Sequence, residues 1–437
     1  MSAVPGLTKP RKARKLSLEQ RTTDSGLTVV AVRKPGVPLV ELRLRVPFLS
    51  AKKAHPARAT LLADTLLTGA GPYDRAGLAA AIQALGADVS VDVDADRLIV
   101  SGNVLATGLR QLLEVLATVL TEPAFARDEL ALERDRLAEK LAMARSRAGV
   151  IAGERLTERM WGAHPYARDL PQPEAVAASS RSQLRTLHSE RVRPSGAALV
   201  VVGDVTPKRA VDQVEAALAA WTGKAATAKV PALPTPPAGA LLVVDRPGSV
   251  QSSLRMGRPA VSRTDERYPA LQLANLIFGG YFSSRWTLNI REDKGYTYGP
   301  HSRIDHHVLG SALTFDVEVA TEVTGPSLLE TNYELGRIAS LPVSEDEVDN
   351  VRQYAIGTLA LSTATQAGLA STLVALSASG LGLDWILSHP GRLAATSAAE
   401  VSAAAAEFFA PSGLTSVIVG DAATIAGPLR TLGPIET

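Results

Sequence analysis

Two copies of one short pattern lie half a chain apart, and this repeat constrains the fold more than any other feature. The first copy, RPSGAALVVVGDV, spans residues 193–205, and the second, APSGLTSVIVGDA, spans residues 410–422. Each reads Pro-Ser-Gly, then a run rich in β-branched residues, then Val-Gly-Asp, which is typical of a strand that ends in a turn. The offset is 217 residues in a chain of 437. A duplication with so long a period predicts two similar halves and not a solenoid.

The beginnings of the two halves also correspond. Residues 30–46 and residues 242–257 each predict a strand, a Pro-Gly turn and a second strand, followed by an apolar helix that ends near Gly69 or Gly279. Residues 87–104 alternate apolar and polar side chains, as a half-buried antiparallel sheet does. The predicted fold class is therefore α+β, with two duplicated halves in which helices pack on a mixed or antiparallel sheet.

Four segments are predicted along the chain. Residues 1–24 form a basic, flexible N-terminal arm, residues 25–221 the first half, and residues 240–437 the second half. Residues 222–239 are rich in Pro and Ala, with little to bury, and predict a semi-extended linker between the halves.

Composition and charge argue against several functions. With 46 basic and 44 acidic residues the formal charge is only +2, so we expect neither a nucleic-acid partner nor a membrane partner. No apolar run reaches the ~18 residues that a membrane span needs, and nothing after Met1 resembles a signal peptide. The absence of cysteine excludes disulfides and thiolate metal sites. These observations together predict a cytoplasmic protein.

Residues 291–300, REDKGYTYGP, place two tyrosines one residue apart in a chain with only 4 % aromatic residues. One interpretation is a solvated helix end followed by a strand, with both tyrosines packed on the sheet. The other is a substrate site, in which Gly295 ends the helix in the left-handed conformation and turns Tyr298 towards Arg291. The ten residues by themselves favour the first interpretation.

A longer segment changes that balance. Residues 278–299, FGGYFSSRWTLNIREDKGYTYG, resemble the C-terminal substrate-binding motif of the pitrilysin/insulinase family of zinc peptidases. The order is a Gly-Gly loop, Ser-Ser-Arg, a helix, Arg-Glu and then Gly-x-x-Tyr. The resemblance extends over nearly the whole chain past residue 25 and includes HPYAR at residues 164–168. It implies that Arg291 binds a substrate carbonyl and that Tyr298 stabilises the oxyanion.

Two further residues are candidates for a pocket beside this pair. Tyr296 falls on the same face as Tyr298 by the period of a strand, and could form a pocket wall. His301 lies just beyond the motif and could line a cleft, but the sequence favours a turn or surface position.

The family's zinc site is not preserved in this chain. Members of the family carry H-x-x-E-H on the first helix of the first half and a glutamate on a later helix. Here Thr60 and Asp64 stand at the histidine positions, Ala63 at the catalytic base and Lys140 at the glutamate ligand. We therefore expect no metal cofactor in this chain and a zinc ion in a partner subunit. We also hypothesise that Asp64 and Lys140 form an ion pair in place of the ion.

The resemblance thus implies the non-catalytic subunit of a heterodimeric zinc metallopeptidase, inactive alone. It would supply Arg291 and Tyr298 in trans to a homologous zinc-binding subunit, which cleaves peptides or unfolded segments. The peptide substrate would add as a strand to an exposed sheet edge near this site. The alternative is a catalytically silent scaffold or peptide-binding protein of the same fold, which does not explain why the Arg-Tyr pair is retained.

Overall fold

The computed structural model describes residues 16–168 and 170–437. In the first half, the strands and helices follow one another as β1 (Ser17–Thr22), β2 (Thr28–Arg33), β3 (Leu39–Pro47), α1 (His55–Leu66), β4 (Gly69–Ala70), β5 (Tyr73–Asp74), α2 (Arg75–Ala84), β6 (Asp88–Val93), β7 (Arg97–Leu105), α3 (Leu109–Thr121), α4 (Arg127–Arg145), α5 (Ala148–Trp161), α6 (Pro173–Ala177), α7 (Arg181–Arg191), β8 (Ala198–Gly203) and α8 (Pro207–Ala217).

The second half repeats this alternation after the linker. Its elements are β9 (Leu241–Asp245), β10 (Gln251–Ala260), α9 (Tyr268–Asn275), α10 (Arg285–Thr287), β11 (His301–His306), β12 (Ser311–Ala320), α11 (Thr324–Ser340), α12 (Glu345–Ser362), α13 (Gln366–Ser377), α14 (Leu383–Ala395), α15 (Ala398–Phe408), β13 (Thr415–Gly420), α16 (Ala422–Arg430) and β14 (Ile435–Glu436).

Each half is built on a six-stranded mixed sheet, and the two sheets are equivalent. The strand orders are β1-β2-β8-β3-β7-β6 and β11-β12-β10-β13-β9-β14, which match when one is read backwards. The two copies of the Pro-Ser-Gly pattern lead into β8 and β13, which take the same place in their sheets. Each of these strands is parallel to one neighbour, β2 or β9, and antiparallel to the other, β3 or β10. The predicted α+β fold with two duplicated halves is confirmed.

The sequence of each strand reflects its place in the sheet. Strand β8, ALVVVG, is buried along its whole length because it is covered on both faces. Strand β6, DVSVDV, alternates exposed and half-buried residues because its valines face the core of the first half and its other side chains face solvent.

The prediction of a flexible N-terminal arm is wrong for residues 17–22. Residues 17–22 form β1, which pairs antiparallel with β2 and closes one edge of the first sheet. Arg21 in this strand forms ion pairs with Glu215 at 2.6 Å and with Asp212 at 3.1 Å on α8. The strand forms because β2 offers an unpaired edge, which the local sequence does not reveal. The basic run of residues 9–15 lies outside the described residues.

In each sheet, one face packs on the core of its own half, and the opposite face is covered by a helix from the other half. Alternate residues of β8 point in opposite directions, so that Leu199 and Val201 face the core of the first half while Val200 and Val202 face α13. Helix α13 buries its apolar side there, although it belongs to the second half of the sequence. Conversely, α5 packs on β10 and β13, where its apolar side chains meet Val417 and Val419.

The linker runs between α8 and β9 without helix or strand and is attached to both halves. The Nη1 of Arg191 donates to the carbonyl of Ala226 at 2.6 Å, and the amide of Gly239 donates to the carbonyl of Leu414 at 3.2 Å. These two hydrogen bonds attach its ends to the first and second halves.

In the described part of the chain, no single helix is long and apolar enough to cross a membrane. Helices α12 and α13 reach the required length and composition only as a pair, and the pair is bent by 108°. The apolar side of α13 is the one that covers the first sheet.

The reciprocal packing predicts that a substitution in the second half weakens the sheet of the first. Leu373 on α13 is 3 % exposed, and Leu373→Ala should lower the free energy of unfolding by about 2–5 kcal/mol, because it leaves a cavity against β8. Hydrogen exchange should show reduced protection of the amides of β2 and β8. Leu361→Ala is the matched control, since Leu361 is 76 % exposed on α12, and should change stability by less than about 0.5 kcal/mol. Unchanged protection of β8 in Leu373→Ala would contradict the prediction.

Candidate functional site

Arg291 and Tyr298 lie against each other on the surface of the second half. The Cζ atom of Arg291 is 5.0 Å from the centroid of the Tyr298 ring and 4.6 Å from that of Phe282. Both distances fall within the range of cation–π attraction. Tyr298 is 89 % exposed and Phe282 is 58 % exposed. The structure therefore brings the predicted pair together and adds Phe282, whose only sequence signal is its place in the quoted motif.

A widened helical turn and one glycine hold the pair in this arrangement. Residues Leu288–Asp293 form a π-helical turn, in which the amide of Lys294 donates to the carbonyl of Asn289 at 3.1 Å. Gly295 follows with a φ of +66°, and its amide donates to the carbonyl of Arg291 at 3.0 Å. The predicted left-handed conformation of Gly295 is confirmed, and a side chain at this position would be strained.

Tyr296 and Tyr298 do not share a face, so the expectation based on the period of a strand is wrong. Residues 296–300 form no strand, and β11 begins only at His301. Tyr296 packs on the core of the second half, whereas Tyr298 points into solvent. Between them, the Oγ1 of Thr297 donates to the carbonyl of Glu318 at 2.6 Å, which anchors the loop to β12. His301 is exposed at the start of an edge strand, and its role in a pocket stays a prediction.

The residues at the family's zinc positions do not form a ligand set. On α1, Ala63 has no donor atom and is buried, and its neighbours at the two histidine positions are Thr60 and Asp64. On α4, Lys140 places a cation at the position of the family's glutamate ligand. Within residues 16–168 and 170–437 there is no group of three or more His, Asp or Glu side chains that could hold a metal ion. The side chains at this site therefore do not fit a zinc ion.

Asp64 and Lys140 do not form the hypothesised ion pair. Both side chains are exposed, and the ion pairs of this region join Glu133 to Arg75 and, at 2.9 Å, to Arg136. Asp64 is open to water on one side, but the surrounding protein removes enough water to raise its pKa to about 6. The positive charge of Lys140 lowers the pKa only in part, because Lys140 extends into solvent instead of meeting the carboxylate.

The HPYAR motif connects the two halves. The hydroxyl of Tyr166 donates to Oδ1 of Asp96 at 2.7 Å and accepts a hydrogen bond from the amide of Leu309 at 3.1 Å. The amide of Val308 donates to Oδ2 of Asp96 at 3.0 Å. Burial alone would raise the pKa of Asp96, but hydrogen bonds from His307, Tyr166 and Val308 outweigh it and lower the pKa. The β11–β12 hairpin, which follows the Tyr298 loop, is thereby attached to the first half.

Comparison with protein families agrees with this geometry. A family model described as insulinase (peptidase family M16) matches residues 52–174, and one described as the peptidase M16 inactive domain matches residues 179–354. Together the two matches cover more than half of the chain. The chain belongs to the insulinase, or M16, family of peptidases. With Thr60, Ala63, Asp64 and Lys140 in place of the zinc-site residues, it is a non-catalytic member.

Individual relatives of this M16 chain include proteins named as zinc proteases and one named as a probable inactive metalloprotease. An uncharacterised zinc protease of Mycobacterium leprae is 24 % identical over 314 residues, which are 71 % of each chain. A probable inactive metalloprotease of Bacillus subtilis is 28 % identical over 211 residues, 46 % of this chain and 48 % of the relative.

Solved structures show the same fold over almost the full length. A peptidase M16 inactive domain from Pseudomonas fluorescens has a TM-score of 0.86 at 23 % identity, and the match covers 93 % of this chain and 98 % of the other. A protease from Helicobacter pylori has a TM-score of 0.82 at 16 % identity, with 93 % and 100 % covered.

The raised pKa of Asp64 predicts that this carboxylate destabilises the fold when it is ionised. The folded protein keeps the proton up to about pH 6, whereas the unfolded chain loses it near pH 4, so stability falls as the pH rises between these values. Asp64→Asn should therefore raise the Tm by about 1–3 °C at pH 8 and leave it unchanged at pH 4, a small effect because the side chain is partly solvated. The measurement is a set of thermal scans of both proteins from pH 4 to pH 8.

The control for this prediction is Glu139→Gln, which removes an exposed carboxylate from α4 beside Lys140. Its change in Tm should not follow the same pH profile. A lower Tm of Asp64→Asn at pH 8 would show instead that Lys140 stabilises the ionised carboxylate.

Proposed function

We propose that this chain is the non-catalytic subunit of a two-chain zinc peptidase and supplies Arg291 and Tyr298 to the active site in trans. The observation that carries the proposal is the exposed Arg291–Tyr298 pair on a chain whose described residues hold no set of zinc ligands. A tyrosine that is 89 % exposed contributes little to folding, so its stacking on an arginine serves to order both side chains before a ligand arrives. Such ordering reduces the entropy lost on binding.

The chemistry of the two side chains suits peptide hydrolysis. The Tyr298 hydroxyl donates a hydrogen bond to the carbonyl oxygen that becomes negative as the peptide bond is attacked. Arg291 has a planar guanidinium whose faces contact the aromatic rings, which leaves N–H groups at its edge for a substrate carbonyl. The zinc ion and the glutamate that activates water belong, in this proposal, to a homologous partner with an intact H-x-x-E-H motif.

The proposed substrate is an extended peptide or unfolded segment that adds as a strand to a sheet edge. Strands β11 and β6 lie at the edges of their sheets. On β11, the side chain of Asn275 already donates to the carbonyl of Ser302 at 3.3 Å, so a peptide could pair with only part of that strand. Recognition through the main chain would tolerate many sequences. The proposed location of the complex is the cytoplasm.

A reconstituted complex tests the proposal. With the H-x-x-E-H partner present, Tyr298→Phe should lower kcat at least ~10-fold, since the loss of one oxyanion donor typically costs ~10²–10³ in kcat. Steady-state kinetics on a peptide library give the measurement, and gel filtration checks that the complex still forms. Tyr333→Phe is the matched control, because Tyr333 is 58 % exposed in the same half and has no arginine stacked on it among the described residues. Equal turnover of the Tyr298→Phe complex and the unsubstituted complex would refute the assignment.

The alternative is a catalytically silent scaffold or peptide-binding protein. It is favoured by the Bacillus subtilis relative, which is named a probable inactive metalloprotease. A stable complex with a partner that cleaves no peptide of the library would support this alternative.

A further inference from the structure

A cavity of about 310 Å³ lies at the N-terminal end of α1, enclosed by that helix, α7 and the linker. It is lined by residues of the first half and the linker, so it is separate from the Arg291–Tyr298 surface. Four cationic side chains and one carboxylate line it, together with a buried imidazole: Lys52, His55, Arg58, Glu190, Arg191 and Lys229. Leu187 and several alanines provide its apolar wall.

Arg191 is a buried cation without an anionic partner. It is only 8 % exposed, and its two terminal nitrogens donate to the neutral carbonyls of Ala226, at 2.6 Å, and Leu49, at 2.5 Å. Its Nε has no hydrogen-bond partner, and among the described residues no carboxylate forms an ion pair with it. The neighbouring carboxylate, Glu190, is instead 3.9 Å from the Nζ of Lys52. The guanidinium therefore lacks a counter-ion. This arrangement is unfavourable because an unpaired charge has been removed from water.

His55 also lines the cavity and shows the effect of the same cations. It is 6 % exposed, and its Nε2 has no hydrogen-bond partner. Burial, together with the charges of Arg191, Arg168 and Lys52, lowers the pKa of His55 to about 4. The cations Arg191 and Lys52 are thus close enough to oppose protonation of this imidazole, and an anion in the cavity would offset their charge.

The first turn of α1 adds to the positive potential. The residue before the helix, Ala54, has no side chain that could cap it, and the first turn contains no acidic residue. The partial positive charge at this helix end is therefore uncompensated, and helix N-termini bind anions through it.

We propose that this cavity binds a small organic anion, whose carboxylate or phosphate group meets Arg191 and whose apolar part lies against Leu187 and the linker alanines. The volume is about ten times the ~30 Å³ that a water molecule occupies in the liquid, and falls in the range of small-molecule sites. Because Ala226–Lys229 form one wall, an occupant would fix the linker against α7. The site is independent of any peptidase activity.

Calorimetric titration of the full chain at 0.15 M salt tests the proposal with three probes. N-acetylleucine and phenyl phosphate carry the two anionic groups, and N-acetylleucinamide is the neutral counterpart of the first. At least one anion should bind one to one with a Kd below about 1 mM, and the amide should not bind measurably. The anion that binds identifies the class of ligand. Absence of binding by both anions at 10-fold higher concentration, about 10 mM, or equal binding of the amide, would overturn the proposal.

Variants locate the binding in this cavity. Arg191→Gln should weaken it at least about tenfold, since hydrogen bonds to charged groups contribute that much. Arg191 also donates hydrogen bonds to two carbonyls, so its substitution could disturb the fold. Lys229→Gln, on the exposed linker, therefore provides a second variant, and its affinity for the anion should fall about threefold. Lys224→Gln is its control, since Lys224 lies on the same linker but does not line the cavity. Equal affinities of the Lys229→Gln and Lys224→Gln proteins would contradict the assigned site.

A second readout follows the linker directly. The bound anion should slow tryptic cleavage after Lys229 more than cleavage after Lys224, because only the former residue lines the cavity. Equal rates with and without the anion would show that the linker is not part of the site.

Discussion

The exchange of helices between the two sheets is the packing interaction on which the rest of the structure depends. Each half covers one face of its sheet with its own helices, and the other face is covered by α13 or α5 from the opposite half. Neither sheet buries both faces without the other half, so the duplicated halves form one packed unit. The hydrogen bonds of Tyr166 and Asp96 to the β11–β12 hairpin add a polar contact to this apolar one. The loop that carries Tyr298 is therefore positioned relative to the first half by both contacts.

The two candidate regions differ in how their charges are compensated. At the former zinc positions, Asp64 is partly desolvated without an ion pair, and its pKa is raised to about 6. Arg291, by contrast, contacts two aromatic rings and forms an ion pair with Glu292 at 3.1 Å. One region lacks a set of three metal ligands among the described residues, while the other keeps a cation and a hydroxyl together at the surface. This difference is the physical basis for describing the chain as a non-catalytic member of the family.

Several predictions from the sequence succeeded because they depend on local chemistry. The Pro-Ser-Gly repeat located two equivalent strands, and Gly295 was identified from its place at a helix end. The predictions that failed depend on which distant residues a segment contacts in the folded chain. Tyr296 and Tyr298 point in different directions because Thr297 bonds to β12, and residues 17–22 form a strand because β2 has an open edge. The prediction of an Asp64–Lys140 ion pair was wrong because two side chains at neighbouring positions can both extend into solvent without meeting.

The sequence by itself determined the fold class, the duplication and the loss of zinc ligands, since repeats, periodicity and the identity of four side chains can be read without coordinates. Only the tertiary structure decided which helix covers which sheet, that Phe282 stacks on Arg291, and that Arg191 is buried without a counter-ion. The reason is that burial and compensation of charge depend on residues far away in sequence: the side chain of Arg191 meets carbonyls from residues 35 and 142 positions away. No local sequence pattern predicts such long-range contacts.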